Sequence, residues 1–226
     1  FTEYSKINRL KIISNFSGSA GLGIILKNKN YLFTDGRYTI QSKIESGKNF
    51  QIFSYEKLIN CKLFKNLKLG LDPKLFTYEQ IKKYFLRRNQ VKLISNNLID
   101  EIKSHKIDKQ LPFFSLKDEI VGENKKSKIN KIVNYLKKKK ADNIFITAPE
   151  NVAWILNIRG NDGPNSPIPN CRLIINKSKK IFLITEPIKA KILIKKKIIK
   201  KNQLINVNDL QKEIFLIKGK NFIVDN

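Results

Sequence analysis

The stretch Gly21 to Ser42, "GLGIILKNKNYLFTDGRYTIQS", holds two short β-rich apolar runs, GLGIIL and YLFTD, separated by the polar residues KNKN. A polar break of that length between such runs predicts a β-hairpin. Asp35 then stands where it can cap a helix N-terminus by accepting from free backbone N–H groups, and Gly36 is expected to give the turn backbone freedom. From Arg37 onward, Ile40 and Ile44 fall on one helical face, and Gly47 is placed to close the helix. The local order is hairpin, turn, helix.

Outward from this stretch, strands and helices alternate. "RLKIISNF" (Arg9 to Phe16) reads as strand-like, "FQIF" as a strand, "LDPKLFTYEQIKKYFLRRN" as containing a helix, and "VKLIS" as a following strand. The regular pattern weakens across Ile102 to Leu116, so the domain boundary is expected there, with domains at 1–110 and 111–226. Beyond Gly122, Ile129, Ile132, Val133 and Leu136 form an i, i+3, i+4, i+7 stripe. "NIFITA" is a strand, and "PENVAWILN" opens with Pro149 and Glu150, both suited to a first helical turn. "CRLII" and "IFLIT", joined across NKSKK, predict a second hairpin. Each half thus carries a hairpin followed by a helix and strand. The fold class expected is α/β, two domains each with a mixed sheet and flanking helices.

With 41% hydrophobic residues the 226-residue chain can bury real cores. No apolar run approaches the roughly 18 residues of a membrane span, and KILIKKKIIKK is interrupted by lysines. Cys61 and Cys171 lie far apart without a CxxC, which suits a reducing cytosol and places the protein in the cytoplasm. The chain contains no methionine and ends on NFIVDN, an apolar strand at its boundary, so it is expected to be a piece of a longer protein. The net charge of +26 invites a nucleic-acid reading. The basic residues are dispersed, however. The one run of four, Lys137 to Lys140, sits at a helix end, where cations are favourable. No basic-aromatic platform is visible, so a solvated basic surface is expected in preference to a nucleic-acid site.

Few residues suggest chemistry. GSAGLG (Gly18 to Gly23) lacks phosphate-loop spacing and leads into a strand. His105 is the only histidine, so no His-rich metal site or Ser-His site fits within the chain. The adjacent carboxylates Asp100/Glu101 and Asp118/Glu119 do not converge on a helix and are expected to be solvated. Catalytic and metal-ligating residues are therefore expected to be absent. "RGNDGPNSPIPN" (Arg159 to Asn170) has three prolines, Pro164, Pro167 and Pro169, that fix φ, and reads either as a structural loop or as a preorganised wall of a cleft. Arg37, in a first helical turn, faces the positive end of the dipole, an unfavourable placement by roughly 0.3–1 kcal/mol. Either Asp35 compensates it locally, or its guanidinium is presented to an acceptor beyond the helix.

In this order, "FSGSAGLGIIL…YLFTDGRYTIQS", "GLDPKLFT", "NLIDEI" and "LP" resemble the first N-terminal domain of three-domain aminopeptidase P (Xaa-Pro aminopeptidase). "ADNIFITAPENVAWILNIRGNDGPNSPIPNCRLII" resembles its second domain, with the Asn-x-Arg-Gly-x-Asp motif and a proline-bearing loop. The segment KSHKIDKQLP departs from the usual Trp- and Arg-Pro-containing linker. The resemblance implies two creatinase/prolidase N-terminal-type domains with ribonuclease-H-like topology. It implies a full enzyme that releases the N-terminal residue of peptides whose second residue is proline. The chemistry would belong to a C-terminal pita-bread domain, where two Asp, one His and two Glu hold two manganese or similar divalent ions. This chain alone would be inactive, shaping the substrate entrance and supporting a homodimer. The arginine of the TDGRY motif contacts substrate in the family and maps onto Arg37. The alternatives are a stand-alone non-catalytic binding or scaffold relative and a basic nucleic-acid binder.

Overall fold

In the hairpin strand Asn30–Thr34, Tyr31, Leu32, Phe33 and Thr34 are all buried. Side chains alternate across a strand, so a run buried throughout requires cover on both faces. The computed structural model describes residues 8–59, 62–102, 110–163 and 166–224, and the chain divides into two units, 1–107 and 108–226. His105, Cys61 and Pro164 lie outside the described residues, as does the first part of the expected boundary segment.

Unit 1 contains α1 (Arg9–Ser14), β1 (Gly21–Ile25), β2 (Asn30–Thr34), α2 (Thr39–Ser46), β3 (Gln51–Ser54), α3 (Tyr55–Ile59), β4 (Lys68–Leu71), α4 (Tyr78–Ile81), β5 (Gln90–Leu93) and α5 (Leu98–Ile102). The hairpin forms as expected, with β1 antiparallel to β2 from Gly21↔Thr34 to Ile25↔Asn30. The chain then crosses over through α2, and β3 runs parallel to β2 on its other edge. Tyr31 and Phe33 enter a cluster with Ile24, Leu58, Phe64 and Phe85. Leu32, pointing oppositely, packs with Leu10, Phe16 and Phe50. β4 and β5 form a separate parallel pair, joined through α4, which continues into a π-helical turn, Lys82–Leu86.

Two expectations are corrected here. Arg9–Phe16 is not a strand, since Arg9–Ser14 is helical. The Asn8 side chain accepts from Lys11 N–H, Asn15 closes the helix at φ 60°, and Leu10 and Ile13 face the Phe16 cluster at i, i+3 spacing. Asp100 is not merely solvated, because Arg9 Nε and Nη2 donate to its two carboxylate oxygens at 2.8 Å each. That fork-to-fork pair joins α1 to α5.

Unit 2 repeats the scheme with more strands: β6 (Phe114–Ser115), α6 (Asp118–Val121), α7 (Lys125–Lys138), β7 (Asn143–Ile146), α8 (Pro149–Leu156), β8 (Ile158–Arg159), β9 (Arg172–Asn176), β10 (Ile181–Ile184), α9 (Pro187–Lys195), β11 (Leu204–Ile205), α10 (Leu210–Leu216) and β12 (Phe222–Val224). The hairpin β9–β10 is antiparallel, α9 crosses over, and β11 runs parallel to β10. β7 pairs antiparallel with β9, and β12 parallel with β7, giving the order β11-β10-β9-β7-β12. Leu173 and Ile175 face one cluster and Ile174 the other, again with both faces covered. The α7 stripe behaves as expected: Ile129, Val133 and Leu136 are buried and Ile132 packs against them.

Lys128 shares that buried side of α7, being four and eight residues before Ile132 and Leu136. It is only 1% exposed. Its Nζ donates to the Trp154 carbonyl at 2.7 Å and to Asn157 Oδ1 at 2.6 Å, and lies 4.1 Å from the Trp154 ring centroid. Asn157 is the C-terminal cap of α8, so the ammonium sits at the negative end of that helix dipole. Burial holds its pKa below the ordinary lysine value. Lys128→Ala is expected to destabilise by about 2–4 kcal/mol, because it removes the donor to buried Asn157 Oδ1 and one of two donors to the Trp154 carbonyl, and opens a cavity. Ile44→Ala, at a 79% exposed site, is expected to change stability by less than about 0.5 kcal/mol. Urea unfolding of the two variants measures the contrast.

Asp142 secures the edge strand β12. Lys177 Nζ lies 2.6 Å from its Oδ1, and the Lys220 and Asn221 N–H groups donate to Oδ2 at 3.0 and 3.2 Å. Lys177 first, and then these backbone donors, lower its pKa. A depressed carboxylate pKa contributes stability that is fully present above the unfolded aspartate value of about 3.9 and is lost as pH falls through the folded value. Protection of the Lys220 and Asn221 amides, measured as exchange relative to the intrinsic rate at each pH, is therefore expected to fall on acidification below about pH 4, with the Asp142→Asn variant showing weaker dependence.

Candidate functional site

β2 ends at Thr34, and Asp35 turns the chain into a short 3₁₀ segment, Gly36–Tyr38, that leads into α2. Asp35 caps as expected, accepting from Arg37 N–H at 2.9 Å. The same carboxylate accepts from Arg37 Nε at 3.2 Å and from Nη2 at 2.6 Å. Local compensation of the awkward arginine is thus what the structure displays. The mutual hydrogen bond raises the Arg37 pKa and lowers that of Asp35. The Arg37 side chain nonetheless remains 72% exposed, with its guanidinium carbon 5.3 Å from the Tyr38 ring centroid. Gly36 is not required by the turn: its φ is not positive, and a Cβ there would meet nothing within 4 Å.

The turn is braced from the Ser17–Ala20 loop. Tyr38 Oη and Ser19 Oγ are 2.7 Å apart, a hydrogen bond that lowers the tyrosine pKa. Phe16 meets Tyr38 edge-on at 5.5 Å. Glu45, the penultimate residue of α2, accepts from Ser17 N–H at 2.7 Å and from Ser17 Oγ at 2.8 Å. A Cβ at Gly18 would run into the Phe16 ring and lie 2.9 Å from Tyr38 Cδ1, so the glycine permits this close approach. The loop therefore braces a turn and, as expected, leads into a strand. Ile40 and Ile44 do share a face, but that face is 76% and 79% exposed, and the buried positions of α2 are Ser42 and Ser46. Ser46 Oγ donates to the Ser14 carbonyl at 2.6 Å, which ties α2 to α1 through a hydroxyl instead of an isoleucine.

The second predicted feature, the loop Arg159–Asn170, connects β8 to β9. β8 is held by β6 through Phe114↔Arg159, and Gly160 N–H donates to the Pro167 carbonyl at 2.9 Å. Asp162 Oδ2 accepts from Asn170 N–H at 2.7 Å, and its Oδ1 lies 3.0 Å from Lys189 Nζ on α9. The two side chains are 4% and 6% exposed. Glu186 Oε2 stands 3.2 Å from the same ammonium. Burial alone would raise the Glu186 pKa, but its own N–H and Lys189 hold it below the usual range. Cys171, beside this cluster, is buried, and burial pushes its thiol well up. It is a packing residue, as its place in the core cluster indicates.

Lys128, Lys189 and their carbonyl and carboxylate partners escape a reading that treats lysines as solvated charge. The signal lies in the period. Lys189 adjoins Ala190 and stands four residues before Leu193, both buried, so it falls on the inner face of α9. Among the described residues, no group of three or more His, Cys, Asp or Glu could hold a metal ion.

Gly18→Ala is expected to destabilise the protein by about 1–3 kcal/mol through overpacking against Phe16 and Tyr38. Arg37→Ala is expected to leave the urea midpoint where it was, since the guanidinium is solvated. Parallel denaturant titrations check both.

Residues 107–225 match the family model described as the creatinase/prolidase N-terminal domain. The chain is 30% identical over 202 residues to Xaa-Pro aminopeptidase 1 of Dictyostelium discoideum, covering 80% of this chain and 32% of that protein. It is 31% identical over 191 residues to a probable Xaa-Pro aminopeptidase P of Laccaria bicolor, covering 78% and 30%. It spans about a third of the length of the curated relatives it matches. The crystal structure of X-prolyl aminopeptidase from Caenorhabditis elegans, described as a cytosolic enzyme with a di-nuclear active site, shares the fold. Its TM-score is 0.80 at 24% identity, over 95% of this chain and 37% of that one. With over half its length matched by the family model, in an α/β arrangement of mixed sheets and flanking helices, the chain belongs to the creatinase/prolidase N-terminal domain family.

Proposed function

We propose that this chain is the non-catalytic N-terminal part of an Xaa-Pro aminopeptidase, and that Arg37 contacts the peptide substrate. The observation that carries the substrate role is a guanidinium held by Asp35 in a braced turn yet 72% exposed. An arginine needed only to balance the cap need not exist, because the cap works through Asp35 and the backbone N–H of residue 37. A planar donor fork pre-oriented on a rigid turn suits a peptide carbonyl or carboxylate. Likeness to Xaa-Pro aminopeptidases over about four-fifths of the chain supplies the substrate class, peptides with proline second. In this reading the full-length protein is a cytoplasmic homodimer. In the same reading a pair of divalent ions, manganese or similar, is held by a separate catalytic domain, as the di-nuclear site of the Caenorhabditis elegans X-prolyl aminopeptidase supports. This chain's own part is to shape the entrance and orient the peptide.

The test is release of the N-terminal residue from Xaa-Pro peptides by the full-length protein. Arg37→Ala is expected to lower kcat/KM by about tenfold or more, with Arg37→Lys recovering only part, since a lysine lacks the fork. A full-length protein without that release, or an Arg37→Ala variant with unchanged kcat/KM, overturns the reading.

A further inference from the structure

We infer that Lys189, a residue of α9 outside any substrate contact, is the positioning residue of the Arg159–Asn170 loop, and that through Asp162 it sets how tightly the loop's wall of the entrance holds a peptide. The peptide part of this inference rests on the function proposed above.

The loop's two arms are joined by Gly160 N–H to the Pro167 carbonyl and by Asn170 N–H to Asp162. Asp162 is thus the side chain that ties the outgoing arm to the returning one, and its second oxygen is spent on Lys189. Lys189 is itself held twice. Its carbonyl accepts from Phe113 N–H at 2.8 Å, and its Nζ lies 5.8 Å from the Phe113 ring centroid. The Phe113 ring also closes on the loop, since a Cβ at Gly160 would lie 2.9 Å from Phe113 Cδ1 and 2.8 Å from Pro169 Cα. One ammonium therefore fixes the carboxylate that fixes both arms, against a phenylalanine that the same lysine's backbone holds.

Stability is a poor reason for such a pair. Desolvating two charges consumes much of their attraction, and well-packed apolar replacements are often neutral or stabilising. What an ion pair in this geometry supplies is one orientation of Asp162, and with it one shape of the loop. Glu186 lies 3.2 Å from the same ammonium but belongs to the helix entry and, among the described residues, has its hydrogen bond and ion pair with Thr185 and Lys189 and not with the loop, so it serves as the internal control.

The experiment uses the full-length protein. Asp162→Asn combined with Lys189→Met removes both charges of the buried pair, leaves Glu186 at a position 36% exposed to solvent, and keeps an amide oxygen for Asn170 N–H. Hydrogen exchange at the Gly160 and Asn170 amides is expected to quicken at least about tenfold. KM for an Xaa-Pro peptide is expected to rise about tenfold, with kcat within about twofold, the pattern of lost binding that acts equally on substrate and transition state. Glu186→Gln is expected to match wild type in both measurements. Unchanged exchange in the double variant, faster exchange with unchanged KM, a loss confined to kcat, or an equal effect from Glu186→Gln each overturns the assignment. If the wild-type protein releases nothing from Xaa-Pro peptides, the peptide reading fails by itself, and exchange at the two amides alone decides whether Lys189 positions the loop.

Discussion

A strand flanked on both edges and covered on both faces is the constraint around which each unit is built. β2 has an antiparallel neighbour on one side and a parallel one on the other, with Leu32 and Phe33 fully buried in opposite directions. A hairpin alone satisfies one edge and leaves the other open, and an open apolar edge invites pairing with another chain. The crossover helix brings the next strand onto that edge, while α1 and α3 contribute Leu10 and Leu58 to the two faces. β10 solves the same problem in the second unit, between β9 and β11. The repeated hairpin–helix–strand order has a physical basis: it is a short route by which a chain can cover a strand of this kind.

Lys128 and Lys189 both carry charge into the core of unit 2, and the two cases differ in kind. Lys128 has backbone and amide oxygens and a ring for partners, at the C-terminal end of α8, where the helix dipole favours a cation. Lys189 has two carboxylates, and it links a helix to a loop. The first secures packing between α7 and α8. The second bears on a proline-bearing connection that carries a buried carboxylate and packs against Phe113. Both were hidden by composition, because among so many dispersed lysines a buried one looks like its solvated neighbours.

The Asp35–Arg37 turn shows how a local stability argument and a functional one can hold together. The arginine is misplaced with respect to the helix dipole, and the adjacent carboxylate repairs that misplacement while orienting the guanidinium. Tyr38, Ser19 and Phe16 stiffen the turn from the preceding loop. An exposed charge on a stiff turn loses little side-chain freedom when it meets a ligand, and that is the condition for a useful contact.

Much of this architecture is legible in sequence because it depends on neighbours a few residues apart. Both hairpins, the α7 stripe, the Asp35 cap and the Pro149 helix start follow from periodicity and turn chemistry, and the motif order points to the family. Arg9–Phe16 misled for the same local reason: RLKII has strand-like composition, and the helix is secured by the Asn8 cap and by packing of Leu10 and Ile13 with Leu32 and Phe50 from later in the chain. The burial of Ser42 and Ser46 in place of Ile40 and Ile44, the Arg9–Asp100 pair and the Lys189–Asp162 clamp were settled by tertiary structure alone. Each depends on which atoms arrive from residues tens of positions away, and no local pattern encodes the desolvation and partners found there.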